Sequence, residues 1–431
     1  MRAFALIVAI CAPALAGAQE FFTLRGHGGP IMDVAVSSSG RIATSSFDNS
    51  VGVWSGQSPN WLESHRAAVN AAVFIDDTTL VSGGDDNAVV LWDLASGASD
   101  RRTGHTAKVM ALEVSPDGKW VASASWDSRI GLWPVAGGPA RFLSGHQLGV
   151  NDIAFTADGS QLFSASTDGS IRIWDVETGQ ELQRLLSHGF GVNQLVLNEA
   201  AGWLAYGAVD GGTRIVDTVT GELLHDFTLE RRPILAMATD PEMRQIAVGD
   251  GEGYIMVIDT TTWRITRDFR ATAQGPVWAL AFSPNGQNIH AGGLDDILYS
   301  WPVATMDTHS QMNTEARSFL EDPETLPNGE RQFKRKCSIC HALGEGSARR
   351  AGPTLYGLFG RPAGTVPDYT YSSILDGSDI VWSGETIDAL FDIGPDHYIP
   401  GTKMPMQRIA KSQDRLDLIE YLRKATAPRE N

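Results

Sequence analysis

Residues 145–174 read GHQLGVNDIAFTADGSQLFSASTDGSIRIW, and this stretch decides how the first three hundred residues fold. It opens on Gly145-His146, turns at Asp158-Gly159, and closes on Trp174, six residues after Asp168. The same frame recurs along the chain. Trp54, Trp92, Trp133, Trp174, Val216, Ile258 and Trp301 lie at intervals of 38, 41, 41, 42, 42 and 43 residues. Each follows an acidic residue by six positions, namely Asp48, Asp86, Asp127, Asp168, Asp210, Glu252 and Asp295. In the first five repeats a Gly-His or Ser-His pair precedes: Gly26-His27, Ser64-His65, Gly104-His105, Gly145-His146 and Ser187-His188. Short alternating segments such as 31–36 and 121–125 run between turn pairs such as Asp117-Gly118. A fixed period of about forty residues built from such segments predicts four short antiparallel strands per repeat.

On these residues the segment 19–303 resembles seven WD repeats, a family that folds as a seven-bladed all-β propeller. The resemblance implies a hydrogen-bonded network of Asp, His, Ser or Thr, and Trp inside each blade. The matching sets are Asp48, His27, Thr44 and Trp54, then Asp86, His65, Ser82 and Trp92, in the first two repeats. Asp127, His105, Ser123 and Trp133, and Asp168, His146, Ser164 and Trp174, follow in the third and fourth. The fifth repeat lacks the Trp and the serine, and the sixth and seventh lack the histidine, so apolar packing is expected mainly to hold those blades. Five regularly spaced histidines invite a metal site, but each belongs to a different blade, and a buried histidine bonded to Asp and Ser satisfies polar groups that would otherwise cost stability. Residues 21–24 precede the first repeat and the last ends at Val303, so the N-terminal strand is expected to complete the seventh blade and leave no open sheet edge.

With 431 residues the chain is long enough for two domains. Its 51 acidic and 34 basic residues give a net charge of −17, which argues against nucleic acid as a partner. Met1 and Arg2 precede an apolar run over 4–12, and Ala16-Gly17-Ala18 offers a small-x-small cleavage site before Gln19. Residues 1–18 therefore read as a Sec-type signal peptide, too short to span a bilayer, with export to the periplasm as the consequence. Nothing else resembles a transmembrane helix. Cys11 lies in that leader beside bulky Ile10, a poor lipid-attachment site, so the mature chain keeps only Cys337 and Cys340. One close cysteine pair does not make a disulfide framework.

After a polar linker at 304–324, with one helical turn expected around 316–320, the segment 325–431 carries the chemistry. Cys337-Ser338-Ile339-Cys340-His341 is the C-x-x-C-H pattern of covalent c-type haem attachment. Thiols at i and i+3 on one turn each add to a haem vinyl group, and the next residue presents imidazole nitrogen to iron. A zinc site would require two further ligands, and His397 is the only other histidine of the segment. A thioredoxin-like dithiol would require a surrounding βαβ pattern, which is missing.

The stretches Gly352-Pro353-Thr354-Leu355-Tyr356-Gly357-Leu358-Phe359-Gly360-Arg361, Tyr398-Ile399-Pro400-Gly401-Thr402-Lys403-Met404 and Asp417-Leu418-Ile419-Glu420-Tyr421-Leu422 extend the pattern. With them the segment resembles an all-α class I, mitochondrial-type cytochrome c over nearly its whole length. The resemblance implies one covalent haem c on Cys337 and Cys340, with its iron held by His341 and Met404. By the same resemblance Pro353 backs the imidazole, Arg361, Tyr371 and Trp382 surround the haem propionates, Thr402 orients the distal loop, and the closing helix crosses a first helix at Gly329 and Phe333. Met406 rivals Met404, and the register of the preceding motif favours Met404. Phe391 stands where the family usually has a tyrosine.

These readings predict an exported one-electron carrier, not an enzyme, with redox partner proteins and a protein partner on the propeller. The alternative is a catalytic or ligand-sensing propeller whose electrons or signal pass to the fused cytochrome. Against it, the repeats hold no cofactor motif, no second C-x-x-C-H and no nucleophile constellation. Residues 325–431 carry 14 basic and 13 acidic side chains, so the acidic excess lies in the propeller and linker. Lys334, Arg335, Lys336, Arg349, Arg350 and Lys403 are expected to form a basic rim around an exposed haem edge.

Overall fold

A computed structural model describes residues 20–228, 233–306, 326–338, 340–347, 350–375, 377–404 and 407–428. The leader at 1–18, the expected turn at 316–320, Arg349 and Met406 lie outside the described residues.

Seven four-stranded antiparallel sheets follow one another along the chain. The first blade comprises Ile31–Val36, Ile42–Ser46, Val51–Ser55 and Ser58–Leu62, and the others repeat it. The seventh is composite. Phe22–Arg25 pairs with Ile297–Pro302, Phe22 opposite Ser300 and Arg25 opposite Ile297, so the first strand completes the last blade as expected. The first strand of each blade packs on the first strands of its neighbours. Each carries a register shift just after its first residue, such as that between Ile31 and Asp33 or between Val69 and Ala71. Such a bulge re-aims a side chain, and here the polar side chains at the shift stitch blades together. The amide nitrogens of Asn70, Asn151 and Asn193 donate to the carbonyls of Val109, Val192 and Ile234 in the following blade at 2.9, 2.8 and 2.8 Å. Asp33 and Asp152 accept from the backbone N–H of Ala72 and Leu195 at 2.9 and 2.8 Å.

The four expected networks are present. In the first blade Trp54 Nε1–H donates to Thr44 Oγ1 at 2.8 Å, that hydroxyl meets His27 Nε2 at 2.7 Å, and His27 Nδ1 meets Asp48 Oδ2 at 2.9 Å. One proton arrangement satisfies all four groups: the hydroxyl accepts from Trp and donates to a neutral imidazole, whose Nδ1–H points at the carboxylate. His65, His105 and His146 make the same contacts. Their rings are closed off from solvent inside separate blades, so they serve the fold.

The expectation that apolar packing mainly holds the later blades fits the sixth, with Ile246, Val248, Met256 and Ile258 in one cluster, and needs correction for the fifth and seventh. In the fifth blade Tyr206 takes the place of the missing serine, its hydroxyl 3.3 Å from His188 Nδ1, while His188 Nε2 and Arg214 both reach Asp210 at 3.1 Å. In the seventh, Tyr299 donates to Asp295 at 2.6 Å, Asn288 to Ser300 at 2.8 Å, and Trp301 to the Ala271 carbonyl at 3.1 Å.

Three carboxyls of the first strands lack a cationic partner among the described contacts. Protein atoms crowd Asp33, Glu113 and Asp152, although all three stay partly accessible. Burial pushes them up to about 6, 8 and 7, and the charges of Asp152 on Glu113 and of Asp33 on Asp152 push the same way. A carboxyl with a raised folded-state pKa binds its proton longer in the folded state, so stability present at low pH is lost as the pH rises through the folded pKa. The contribution of these three carboxyls is expected to fall between about pH 4 and pH 8, against the buried imidazoles of His105, His146 and His290, which add stability over part of that range, so the carboxyl effect is read from a variant by thermal unfolding followed by circular dichroism. Glu113→Gln should raise the midpoint at pH 8 and leave it nearly unchanged at pH 4. An equal change at both pH values would remove Glu113 from this account.

The second domain packs four helices, α1 (Asn328–Lys336), α2 (Gly384–Ile393), α3 (Pro395–Tyr398) and α4 (Ser412–Ala425), around Phe333, Leu358, Leu390, Phe391, Leu418 and Leu422. Helices α1 and α4 cross at Gly329, where a Cβ would collide with the Asp417 carbonyl, and beside it Phe333 meets Tyr421 with ring centroids 5.6 Å apart. Asn328 ties the crossing to Asp414 and Asp417 at 2.9 and 2.6 Å. Helix α2 starts on a capping box between Ser383 and Thr386. Arg415, buried on α4, reaches Asp388 at 2.7 Å and Asp392 at 3.0 Å, which fixes α4 against α2. Among the described residues no helix is long and apolar enough to cross a membrane.

Candidate functional site

Helix α1 ends because its C-cap, Cys337, leaves helical geometry while its N–H still bonds the Phe333 carbonyl at 2.8 Å. The chain then turns tightly. Cys340 and His341 both donate their N–H to the Cys337 carbonyl, at 3.1 and 2.9 Å. One turn thus delivers two thiols and an imidazole to a single cavity of about 530 Å³, within the usual size of a ligand cleft.

All nine residues singled out in the sequence line this cavity: Cys337, Cys340, His341, Pro353, Arg361, Tyr371, Trp382, Thr402 and Met404. His341 Nδ1–H donates to the Pro353 carbonyl at 2.7 Å, which leaves Nε2 as the free lone pair. Burial pulls the imidazole below its ordinary pKa and keeps it neutral, as a ligand nitrogen must be. Gly352 lies against the ring so closely that a Cβ there would collide with it. On the other loop, Met404 donates its N–H to Thr402 Oγ1 at 3.2 Å, and Lys403 Nζ donates to the Thr370 carbonyl at 2.8 Å. Arg361 donates to the carbonyls of Tyr356 and Thr354 at 2.6 and 2.8 Å, and its backbone pairs with that of Trp382. Among the described residues no carboxylate pairs with this half-buried guanidinium, so its charge is left for an anion.

Two residues that the sequence reading missed complete the wall. Ser372 Oγ and Gln407 Oε1 are buried against the cavity and have no hydrogen-bond partner among the described residues. Ser372 follows Tyr371 directly, and that adjacency was its only signal; nothing in the sequence singles out Gln407. Phe391 also lines the cavity, so its wall there carries no phenolic hydroxyl.

Burial pushes the Cys337 and Cys340 thiols up to about 12 and 11. A dithiol redox pair depends on a lowered thiol pKa, which burial opposes at both positions. His397 stays at the surface with Asp396, 3.1 Å away, clear of the cavity. A haem fits the donor set: two thiols for its vinyl groups, an imidazole nitrogen and a thioether for iron, and an unpaired guanidinium with an orphaned hydroxyl for propionates.

Residues from the propeller also reach this cavity. Phe47 and Asn49, in a turn of the first blade, and Arg66, Asp85 and Asp86, in loops of the second, line it together with Lys336 and Lys403.

Comparison with known proteins follows this division. Residues 326–426 match the family model described as cytochrome c. Residues 18–55, 56–93, 96–134, 137–175 and 263–301 match the WD domain, G-beta repeat. The cytochrome c of Sesamum indicum is 44% identical over 107 residues, which cover 24% of this chain and 94% of that protein. The cytochrome c of Cannabis sativa is 44% identical over 101 residues, covering 23% and 88%. That of Theileria parva is 43% identical over 99 residues, covering 23% and 84%.

Proposed function

Because this chain belongs to the cytochrome c family through residues 326–426, behind a WD-repeat propeller, we propose that it is an exported mono-haem carrier of single electrons whose propeller docks a protein partner. The family's haem c is covalently bound through thioethers and holds iron. The observation that carries the reading is one cavity joining the thiols of Cys337 and Cys340, the imidazole of His341 and the thioether of Met404.

When bound, the haem supplies a one-electron iron couple, and imidazole with thioether ligation favours the ferrous state and leaves iron no vacant position. The chain's own work is to bind and orient. Cys337 and Cys340 would anchor the ring, and His341, positioned by Pro353, and Met404 would hold the iron. Arg361 and Ser372 would receive the propionates, with Tyr371 and Trp382 beside them. Reaction then requires only that the haem edge come near a donor or acceptor.

For the propeller, the support is an exposed apolar strip. Trp126, Leu148, Phe190 and Val209, in turns and loops at the same end of the third to fifth blades, are 47, 52, 59 and 44% exposed. Large exposed apolar patches mark sites of protein interaction. Export rests on the leader at 1–18, and a mature chain beginning at Gln19 by mass spectrometry would match it.

The intact protein is expected to show a six-coordinate low-spin spectrum unaltered by carbon monoxide, and to take up one electron per chain in a redox titration. Cutting within 307–325 should preserve that spectrum while slowing reaction with the physiological partner at low concentration. Carbon monoxide binding to the intact protein would point instead to a ligand sensor or peroxidase.

A further inference from the structure

We infer that the end of the propeller formed by its first two blades is a docking site for the haem-edge face of the chain's own cytochrome domain, closing the mouth of the haem crevice until salt or a partner releases it. The inference rests on the carrier reading above and adds an intramolecular partner to it.

Three observations carry it. The first is spatial, since Phe47, Arg66, Asp85 and Asp86 line the same cavity as Cys337, His341 and Met404. The turn holding Phe47 and the loops holding Arg66 and Asp85 emerge at one end of their blades, between the second and third strands and before the first. The second is electrostatic at short range. The carboxylates of Asp85 and Asp86 line the cavity mouth together with Lys403, next to Met404. Lys336, next to Cys337, lines the same mouth. The third is electrostatic at long range. Residues 325–431 carry a net charge of +1, with lysines set next to the haem-binding residues, whereas the remainder after Arg2 holds an excess of 19 negative charges. Complementary fields of this kind steer association and fix orientation.

The propeller residues at this mouth are mostly polar, with Phe47, Ala67 and Ala68 the apolar members, so the closed arrangement is held weakly and responds to ionic strength. A closed crevice shields the haem edge from unselected donors. A partner that engages the exposed strip on the third to fifth blades would bind beside the haem, on the same end of the propeller.

The test uses the full-length holoprotein in a Cys11→Ser background, where both remaining cysteines are consumed in thioethers and an added cysteine is the sole labelling site. A fluorophore is attached at Arg66→Cys, and in a second protein at Lys119→Cys, which lies in the loop between the first and second strands of the third blade, at the opposite end. Haem quenches a nearby fluorophore by energy transfer. At about 10 mM salt, where the Debye length is roughly 30 Å, emission from position 66 should be several-fold weaker than from position 119, and it should rise at about 150 mM, where that length falls to roughly 8 Å. Equal emission from both positions at low salt, or quenching at position 66 that ignores salt, would overturn the inference. Neither outcome depends on electron transfer or on an external partner, so the carrier reading would stand or fall separately on its spectrum.

Discussion

Met404→Ala is expected to open the iron to carbon monoxide and to lower the reduction potential, whereas Met406→Ala does neither. Thr402 donates its N–H to the Ile399 carbonyl at 3.0 Å and receives the N–H of Met404 on its hydroxyl, so the two residues before the thioether are held in a short bonded turn. Lys403, between them, is tied to the Thr370 carbonyl across the crevice. With the loop held on both sides, Met404 enters the cavity that also contains His341. Removing its sulfur leaves one axial position without a protein ligand, and an exogenous ligand can enter. Losing a soft thioether also withdraws the preference for ferrous iron, which lowers the potential. A carbon monoxide titration with a spectroelectrochemical measurement on each variant decides the matter, and exchanged behaviour between the two would move the ligand to Met406. Thr402→Val should leave Met404 in place while loosening it, giving slow carbon monoxide binding in place of none.

How far the sequence could be read depended on whether the relevant contacts recur. The first four blades were legible because each repeats the same four side chains at the same spacing, and the spacing is the hydrogen-bonded network seen in projection. The fifth blade broke the pattern in sequence but not in chemistry. Tyr206 reaches His188 from the strand position that serine occupies elsewhere, and Arg214 supplies a second partner for Asp210. A search for one residue type at one position misses a substitution that conserves the bond. Seven of the nine site residues were legible for the opposite reason, being local to three short motifs, whereas Tyr371 and Trp382 lie between those motifs and rested on the family resemblance alone. Ser372 and Gln407 were not legible, because their distinguishing property is an absent partner, and an absent partner shows only when every neighbour is in place. Phe47, Arg66 and Asp85 were beyond reach entirely, since they meet the haem crevice across more than 250 residues of chain and no periodicity links them to it.

Replacing Cys337 and Cys340 together by Ala is expected to give a protein that surrenders its haem to acidified organic solvent, while the unaltered protein retains it and each single variant retains it through one remaining thioether. Cys337 is buried at the end of α1, and Cys340 follows within the same turn, closed by two bonds to the Cys337 carbonyl. Those bonds run through backbone groups, so alanine preserves the turn and still delivers His341 to the cavity. The double variant should therefore bind haem as a dissociable ligand, held by His341, Met404 and the propionate contacts alone, and its domain should lose stability when haem is removed. Truncating buried side chains costs stability by itself, but a cysteine is small, and the loss should stay near the low end of the roughly 1 to 3 kcal/mol typical of core changes. The separation is clean because attachment and ligation fail differently. Loss of the thioethers changes extraction and leaves a low-spin spectrum, whereas loss of Met404 changes the spectrum and leaves extraction unaltered. Retention of haem by the double variant under acid extraction would show that the attachment does not run through these two sulfurs.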